Sequence, residues 1–447
     1  MQELQHWMQH NPIDPRARHR KNCLAQGTAA DLTKGDKMEK PGAIAPSQGS
    51  WTSIILIYAI GVLGASTITQ AIPVVADIAQ FFHAGSYAGW IISAPSALVA
   101  VGALLTGWIV DRMGDKPVLI LGSAIAVVGD VGVATADSLP WMLAMRVVEG
   151  VGYACISVAA IAMMTRITQG ARRNIALTLW SSYIPMSFAV PLLLASQLAG
   201  TGQWRWAFSG HALVLGALLV VAVFHLRARG SKPAVSSLTG LRGALRSPAL
   251  YLLGLTFACA SFVQTGVLSV LSRVLADNYG VAIGVASSVG VLGMVFKIAG
   301  CLTVGPILNR GNTAVLVAAS GVLLSIAGGL AVGVLLPGFL WAILVGCVFF
   351  FGAGLVVGLW ALVPLAAPSR ESLGAASGMV TQITLWGVLF GPPAAFAAVA
   401  RGNWLWESVN IAAGGVTIFA CIVLVVRRFE QAGAVQNLTR QAVHSAH

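Results

Sequence analysis

The chain has 447 residues, a net charge of +12, 57% hydrophobic residues and only 9% charged ones. Its mean hydropathy is +0.81. Soluble domains carry roughly 25% charged residues, so the composition excludes an ordinary soluble enzyme.

Residues 1–50 are polar, rich in His, Arg and Lys, and lack the apolar core of a signal peptide. They are expected to form a disordered cytoplasmic tail. Met38 is an alternative start, because the segment MEKPGAIAPSQGSW already supplies a cytoplasmic lead-in. From Trp51 to Val426, apolar runs of about 20 residues recur, each long enough to cross a bilayer as a helix. Twelve spans are predicted, at 52–75, 88–110, 117–136, 140–164, 175–198, 205–226, 249–274, 282–306, 313–335, 339–364, 374–398 and 405–426. They group into a six-helix bundle over 51–228, a cytoplasmic linker over 229–248, a second bundle over 249–428 and a cytoplasmic tail over 429–447.

Of the 27 Lys and Arg, only Arg146 and Lys297 fall well inside spans, and Arg205, Arg273 and Arg401 lie in the odd-numbered connections or at the span edges beside them. The rest lie in the tails and the even-numbered connections. That bias places both termini in the cytoplasm of a multi-pass inner-membrane protein. The basic charge therefore orients the chain in the lipid bilayer, and no nucleic-acid partner is expected.

The connection after the second span reads Gly107-Trp-Ile-Val-Asp111-Arg112-Met-Gly114-Asp115-Lys116-Pro117. Gly107 has no side chain and allows two helices to approach closely, and Gly114 permits a turn. Asp111 can face the amino-terminal end of a helix in the other half, where unpaired N–H groups carry partial positive charge. Alternatively, these charges only anchor the hairpin at the membrane surface. The motif returns in the second half as Gly305-Pro-Ile-Leu-Asn309-Arg310-Gly311. Gly150-Val-Gly152 returns as Gly352-Ala-Gly354, and Trp204-Arg-Trp206 as Trp404-Leu-Trp406. Three echoes at nearly one offset indicate a duplicated six-span unit, with two bundles flanking a central site.

On the charged hairpin, on Arg146-Val-Val-Glu149-Gly150-Val-Gly152 in the fourth span, and on the twelve-span count, the chain from about 51 to 428 resembles the major facilitator superfamily. The resemblance implies an all-α fold of two pseudo-symmetric six-helix bundles, a monomer, and transport by alternating access. It also implies that Asp111 latches the cytoplasmic side against the eleventh span near Gly374, with Arg112 positioning it. Asp115 departs from the family's usual basic residue. Asn309, next to Arg310, replaces the acid in the second half and leaves that latch neutral. Glu149 stands where the family most often has Gln.

Charges at membrane depth cost about 2.5–3.5 kcal/mol each and usually face a cavity or a partner. Arg146 and Glu149 are three residues apart, on one face of the fourth span. Asp130 stands at similar depth on the third span, so Arg146 has two candidate carboxylate partners. Either Glu149 exchanges a proton while Arg146 moves between partners, or the pair is a permanent structural one. Asp130 is the lesser candidate, because the third span of this fold lies toward the periphery. Lys297 stands close to the midplane of the eighth span. It calls for a substrate anion, a carbonyl cage, a carboxylate from the first half, or loss of its proton.

Gln70, Gln264 and Gln382 either line the cavity or hydrogen-bond between helices. Tyr183 and Trp386 either flank a substrate or pack in the core. Pro185, Pro191, Pro392 and Pro393 bend their spans. His211 and His225 are assigned to membrane-interface positions at the ends of the sixth span. Cys155, Cys259, Cys301, Cys347 and Cys421 read as small core residues and Cys23 stands alone in the tail, with no disulfide or metal spacing. Asn437-Leu-Thr439 is a glycosylation triplet in a predicted cytoplasmic tail and is discounted.

The reading that follows is a secondary active transporter for a small organic solute, coupled to protons. Arg146 and Lys297 tilt the substrate toward an anion, and transporters of the cyanate and nitroimidazole type are a branch it resembles. The alternative within the class is a proton-antiport drug exporter. Against it, SSYIPMSFAVP in the fifth span lacks the glycines of such exporters; for it, Gly391-Pro392 appears in the eleventh. No phosphate loop, nucleophile elbow or His-Glu-x-x-His site is present. No cofactor, metal or enzymatic activity is therefore expected. A membrane-embedded enzyme and a non-transporting sensor are remote alternatives, the latter lacking an output domain.

Overall fold

The computed structural model describes residues 50–226, 238–309, 319–323, 338–368, 373–402, 413–424 and 427, which form helices and turns only. Helix α1 (Trp51–Thr69) opens on Ser50, whose hydroxyl accepts the Ser53 N–H at 3.1 Å. The short α2 (Val75–Phe81) follows. The first span thus stops earlier than the predicted 52–75. Pro73 has no N–H to extend the ladder, and the Ile72 N–H turns back onto the Thr69 carbonyl at 3.0 Å.

The second span is two helices, α3 (Ala88–Ser93) and α4 (Pro95–Met113), parted at Pro95. Long α5 (Asp115–Ala134) and α6 (Leu139–Ile167) come next. The fifth span also divides, into α7 (Gly170–Ser181) and α8 (Tyr183–Ala195). Pro185 removes the donor that the carbonyl four residues earlier would need, which explains the break. Helix α9 (Arg205–His225) completes the leading set.

The trailing set comprises α10 (Leu238–Leu245), α11 (Pro248–Tyr279), α12 (Ile283–Asn309) and α13 (Phe339–Gly358). It continues with α14 (Val363–Ala366), α15 (Leu373–Ala400) and α16 (Ala413–Leu424). The expected linker over 229–248 thus holds a helix, α10, with Ala244 buried and Arg242 exposed. Among the described residues, eight helices are long and apolar enough to cross a membrane. Most of the ninth span and the Trp404-Leu-Trp406 motif lie outside the described residues. Outward-facing Leu213, Phe224 and Leu340, each at least 75% exposed, suit a lipid surface rather than water.

Glycines set how closely the helices pack. Along the α5–α6 seam, a Cβ on Gly122 would come within 2.5 Å of Cys155 Cβ, and one on Gly152 within 2.6 Å of the Gly122 carbonyl. Gly150 turns the other way and takes the Pro95 carbonyl of α4, where a Cβ would stand at 2.0 Å. Gly354 of α13 does the same to the Lys297 carbonyl of α12, at 2.1 Å. Helices α11 and α15 are parallel: Gly254 faces Ile383, Gly387 faces Ala258 and Gly391 faces Phe262 at a constant step.

The leading and trailing sets meet through α3 and α4 against α15, and through α8 against α12. Gly89 of α3 lies against the Pro392–Pro393 backbone, with Trp90 edge-on to Phe390 at 6.3 Å. Gly200 lies beside Ile283, and Leu192 and Leu268 flank Gly290. These contacts cluster at the ends of the spans remote from the Asp111–Lys116 hairpin. Toward the hairpin, no atom of a described residue of another element lies within 4 Å of where a Gly107 Cβ would be. Among the described residues, the seam of α4 with α15 lies farther along the helix than Gly107, around Val99, Ala100 and Ala103 against Leu385 and Val388.

Replacing Gly150 with valine forces α6 away from the Pro95 carbonyl and is expected to cost about 1–3 kcal/mol through overpacking. The check is the unfolding temperature of the detergent-purified variant, which should fall well below wild type.

Candidate functional site

Arg146 is fully buried, and its partners explain how a guanidinium is tolerated there. Pro95 lacks an N–H, so the Ile91 carbonyl has no helical donor; Arg146 Nε donates to it at 2.8 Å. The end of α1 leaves its last carbonyls unpaired. Arg146 donates to Thr67 O at 2.6 Å and to Ile68 O at 3.3 Å, and it reaches Ile92 O at 3.5 Å. The same guanidinium donates to Glu149 Oε2 one turn along its own helix. Its plane also lies 5.6 Å from the centre of the Phe208 ring of α9. One side chain therefore ties together α1, α3, α6 and α9.

Glu149 and Asp130 are fully buried as well. Gly129 makes room for the first: a Cβ there would strike Glu149 Cγ at 2.6 Å. Glu149 Oε1 has no hydrogen-bond partner, and its carboxyl lies within interaction range of Asp130. Asp130 Oδ1 accepts the Gln70 amide at 2.7 Å, across from α5 to the end of α1. Asp130 Oδ2 meets His211 Nδ1 at 2.7 Å. Arg146 is thus paired with Glu149, while Asp130 is held by Gln70 and His211.

His211 corrects the sequence reading, which put it at the membrane interface. Its side chain is 7% exposed and belongs to the polar cluster. Nε2 lies 2.9 Å from Ser66 Oγ and 3.0 Å from Leu63 O of α1. A signal was available: Asp130 precedes the end of α5 by about as many residues as His211 follows the start of antiparallel α9, so the two stand at equal depth.

Lys297 lies apart from this cluster, near the middle of α12 and 1% exposed. Among the described residues, no carboxylate and no hydrogen-bond acceptor pairs with it. Its Nζ lies instead 4.5 Å from the centre of the Phe188 ring of α8, across the junction of the two sets. Of the other candidates, Gln264 is buried with Nε2 unpartnered, and Gln382 Oε1 is likewise buried and unpartnered. Tyr183 stacks on Trp180 at 4.3 Å and neighbours Tyr153. Trp386 is 43% exposed and stacks on Phe390 at 5.8 Å, so it extends the Trp90–Phe390 aromatic row at the α3–α15 seam. Among the described residues, none of these four hydrogen-bonds to the Arg146 cluster.

At the hairpin, Gly114 has φ 87°, a turn conformation that favours glycine. Asp115 is engaged more fully than expected: Arg166 grips it with bonds of 2.6 and 2.5 Å, and it accepts the Lys116 N–H at 2.7 Å. Lys116 Nζ donates to Val223 O at 3.0 Å. Arg112 is exposed. The side chains of Asp111 and Asn309, and the whole of Arg310, lie outside the described residues. Among the described residues, no cluster of His, Cys, Asp and Glu is arranged to hold a metal ion.

Comparison with known proteins adds a family context. The family model described as Major Facilitator Superfamily matches residues 54–392. An uncharacterized transporter of this type from Mycobacterium tuberculosis is 29% identical over 142 residues, covering 30% of this chain and 24% of that protein. The arabinose-proton symporter of Escherichia coli is 26% identical over 162 residues, 36% of this chain and 34% of its own. A multidrug resistance protein of Shigella flexneri is 29% identical over 139 residues, 31% of this chain and 36% of its own. The chain thus spans about a quarter to a third of the length of these relatives. Among solved structures, a bacterial homolog of the human lysosomal transporter Spinster, inward-facing and occupied, matches with a TM-score of 0.63 at 16% identity. That match covers 84% of this chain and 96% of the other.

Because lysine cannot reach all the carbonyls that Arg146 serves, Arg146→Lys is expected to destabilise the protein by about 1–3 kcal/mol, the range for leaving a buried acceptor unsatisfied. Thermal unfolding in detergent measures this directly, and an unchanged transition temperature would refute the capping role.

Proposed function

The chain belongs to the major facilitator superfamily of membrane transporters, and from that premise we propose that it carries a small organic anion together with protons by alternating access. The observation that carries the anion is Lys297: a buried ammonium at mid-helix, faced by an aromatic ring from the other set and by no carboxylate among the described residues. An isolated buried charge of this kind is costly unless a counter-charge arrives. A substrate carboxylate there would join α8 to α12 and make occupancy a term in the balance between the two sets.

Support for proton coupling comes from the fully buried Asp130, Arg146 and Glu149. Two carboxylates beside one guanidinium leave a negative charge that a proton can cancel. The E. coli relative is named as a proton symporter, which agrees with this reading. Gln70 belongs to the proton-binding cluster rather than to the substrate. Gln264 and Gln382, with unpartnered amide atoms, are the remaining candidates for solute contact.

The two bundles are inferred to be residues 51–228 and 249–428, flanking the linker 229–248, with both tails in the cytoplasm and the chain a monomer in the inner membrane. The seam remote from the hairpin and the open space beside Gly107 then correspond to a state open to the cytoplasm. In the opposite state, Asp111 is proposed to latch onto the start of α15 while Gly107 allows the approach.

The second reading, a proton-antiport drug exporter, draws on the aromatic row Trp90–Phe390–Trp386 and on the Shigella relative. Proteoliposomes containing a pH dye decide between them when challenged with benzoate, D-gluconate, L-arabinose and ethidium. Proton uptake driven by an anion, weakened about tenfold or more in Lys297→Gln as a lost charge-assisted contact requires, supports the first reading. A response to ethidium alone, indifferent to Lys297→Gln, selects the second. In the same assay Asp111→Asn is expected to lower transport while leaving the protein folded and membrane-inserted, and an unchanged rate would dismiss the latch.

A further inference from the structure

We infer that the transported proton is held between His211 and Asp130, with His211 as the proton-binding ring and Glu149 as the permanent partner of Arg146. The inference rests on the proton-coupled reading above and assigns it to a residue pair.

Hydrogen-bond chemistry around the imidazole carries the argument. Leu63 O can only accept, and it lies 3.0 Å from Nε2. Ser66 donates its single hydroxyl hydrogen to the same carbonyl at 2.8 Å, which leaves its oxygen lone pair for Nε2 at 2.9 Å. Nε2 therefore carries hydrogen and donates to both. On the other side, Nδ1 faces Asp130 Oδ2 at 2.7 Å. A neutral ring with hydrogen on Nε2 would point the bare Nδ1 lone pair at a carboxylate oxygen, a contact with no proton to share. That geometry needs one proton more than a neutral histidine and an ionised aspartate supply. It resides on Nδ1, which makes His211 an imidazolium donating to Asp130.

The surroundings fix what that proton does. Among the described residues, Asp130 of α5 meets the ring directly; from α6 Arg146 lies near it, with Glu149 beside Arg146 and Asp130; α1 offers the uncharged Ser66 and the Leu63 carbonyl. With the proton present, two cations balance two carboxylates in a largely buried cluster. When it leaves Nδ1 for water, Asp130 and Glu149 confront each other with Arg146 as the only cation between them among the described residues. Arg146 is then drawn toward Asp130 and away from the Ile91 and Ile92 carbonyls. Those carbonyls belong to α3, the helix whose Gly89 closes against Pro392 and Pro393 of the other set. Proton loss thus loosens the seam that keeps the two sets together on that side.

The test uses full-length protein in lipid nanodiscs with its histidine rings labelled with nitrogen-15, the His211 signals being assigned by their disappearance in His211→Gln. At neutral pH, wild-type His211 is expected to show two protonated nitrogens. Asp130→Asn should return it to a neutral ring protonated on Nε2. A neutral wild-type ring, or a ring indifferent to Asp130→Asn, overturns the inference. Proton flux in proteoliposomes with the same benzoate, D-gluconate, L-arabinose and ethidium panel separates the two layers. If wild type moves protons and His211→Gln reduces that flux by about tenfold or more, the scale of an ordinary coupling free energy, the pair carries the transported proton. If His211→Gln moves protons like wild type, the assignment to this pair falls and proton coupling stands. If wild type moves none with any solute, the coupled reading itself falls.

Discussion

Everything around the candidate site depends on the placement of one guanidinium. Two backbone irregularities, the end of α1 at Thr69 and the proline break before α4, leave carbonyls without donors inside the apolar interior. In lipid such groups cost several kcal/mol each unless they are satisfied internally. Arg146 supplies five donors on one rigid plane and meets them from a neighbouring helix. The irregular backbone and the buried charge are each costly alone and stable together.

Close packing makes that arrangement possible. Gly150 lets α6 approach α4 until the Pro95 carbonyl occupies the space of a missing side chain, and Gly129 clears room for Glu149. The charged residues are thereby held at defined depth without filling a cavity between helices. Gly354 against the Lys297 carbonyl repeats the device in the other half. There, however, the side chain it positions has an aromatic ring for company instead of a carboxylate. The two halves are alike in backbone packing and unlike in charge: the leading set holds its counter-ions internally, and the trailing set presents a cation without one among the described residues.

The polar cluster is also mechanically placed. Arg146 bonds to α3, α3 closes on the Pro392–Pro393 segment of α15, and α8 meets α12 on the other flank. Asp130 and His211 thus stand beside the guanidinium that bonds to α3, and α3 in turn packs on α15.

Much of this was legible in the amino-acid sequence. Hydropathy determined the membrane-spanning class, and the hairpin after the second span together with Arg146 and Glu149 indicated the family. Spacing alone put Arg146 and Glu149 on one helical face, since positions three apart always share one. Charge at membrane depth marked Asp130 and Lys297 as residues in need of partners. What the tertiary structure decided was who those partners are. Asp130 went to His211 and Gln70, Arg146 went to backbone carbonyls as well as to Glu149, and Lys297 went to Phe188. Helical periodicity relates residues within one span, but depth and rotation between spans follow from glycine contacts and proline breaks, which emerge only when the helices pack. His211 was visible as a letter in an apolar run, and only the approach of α5 and α1 to α9 gave each of its two nitrogens a partner.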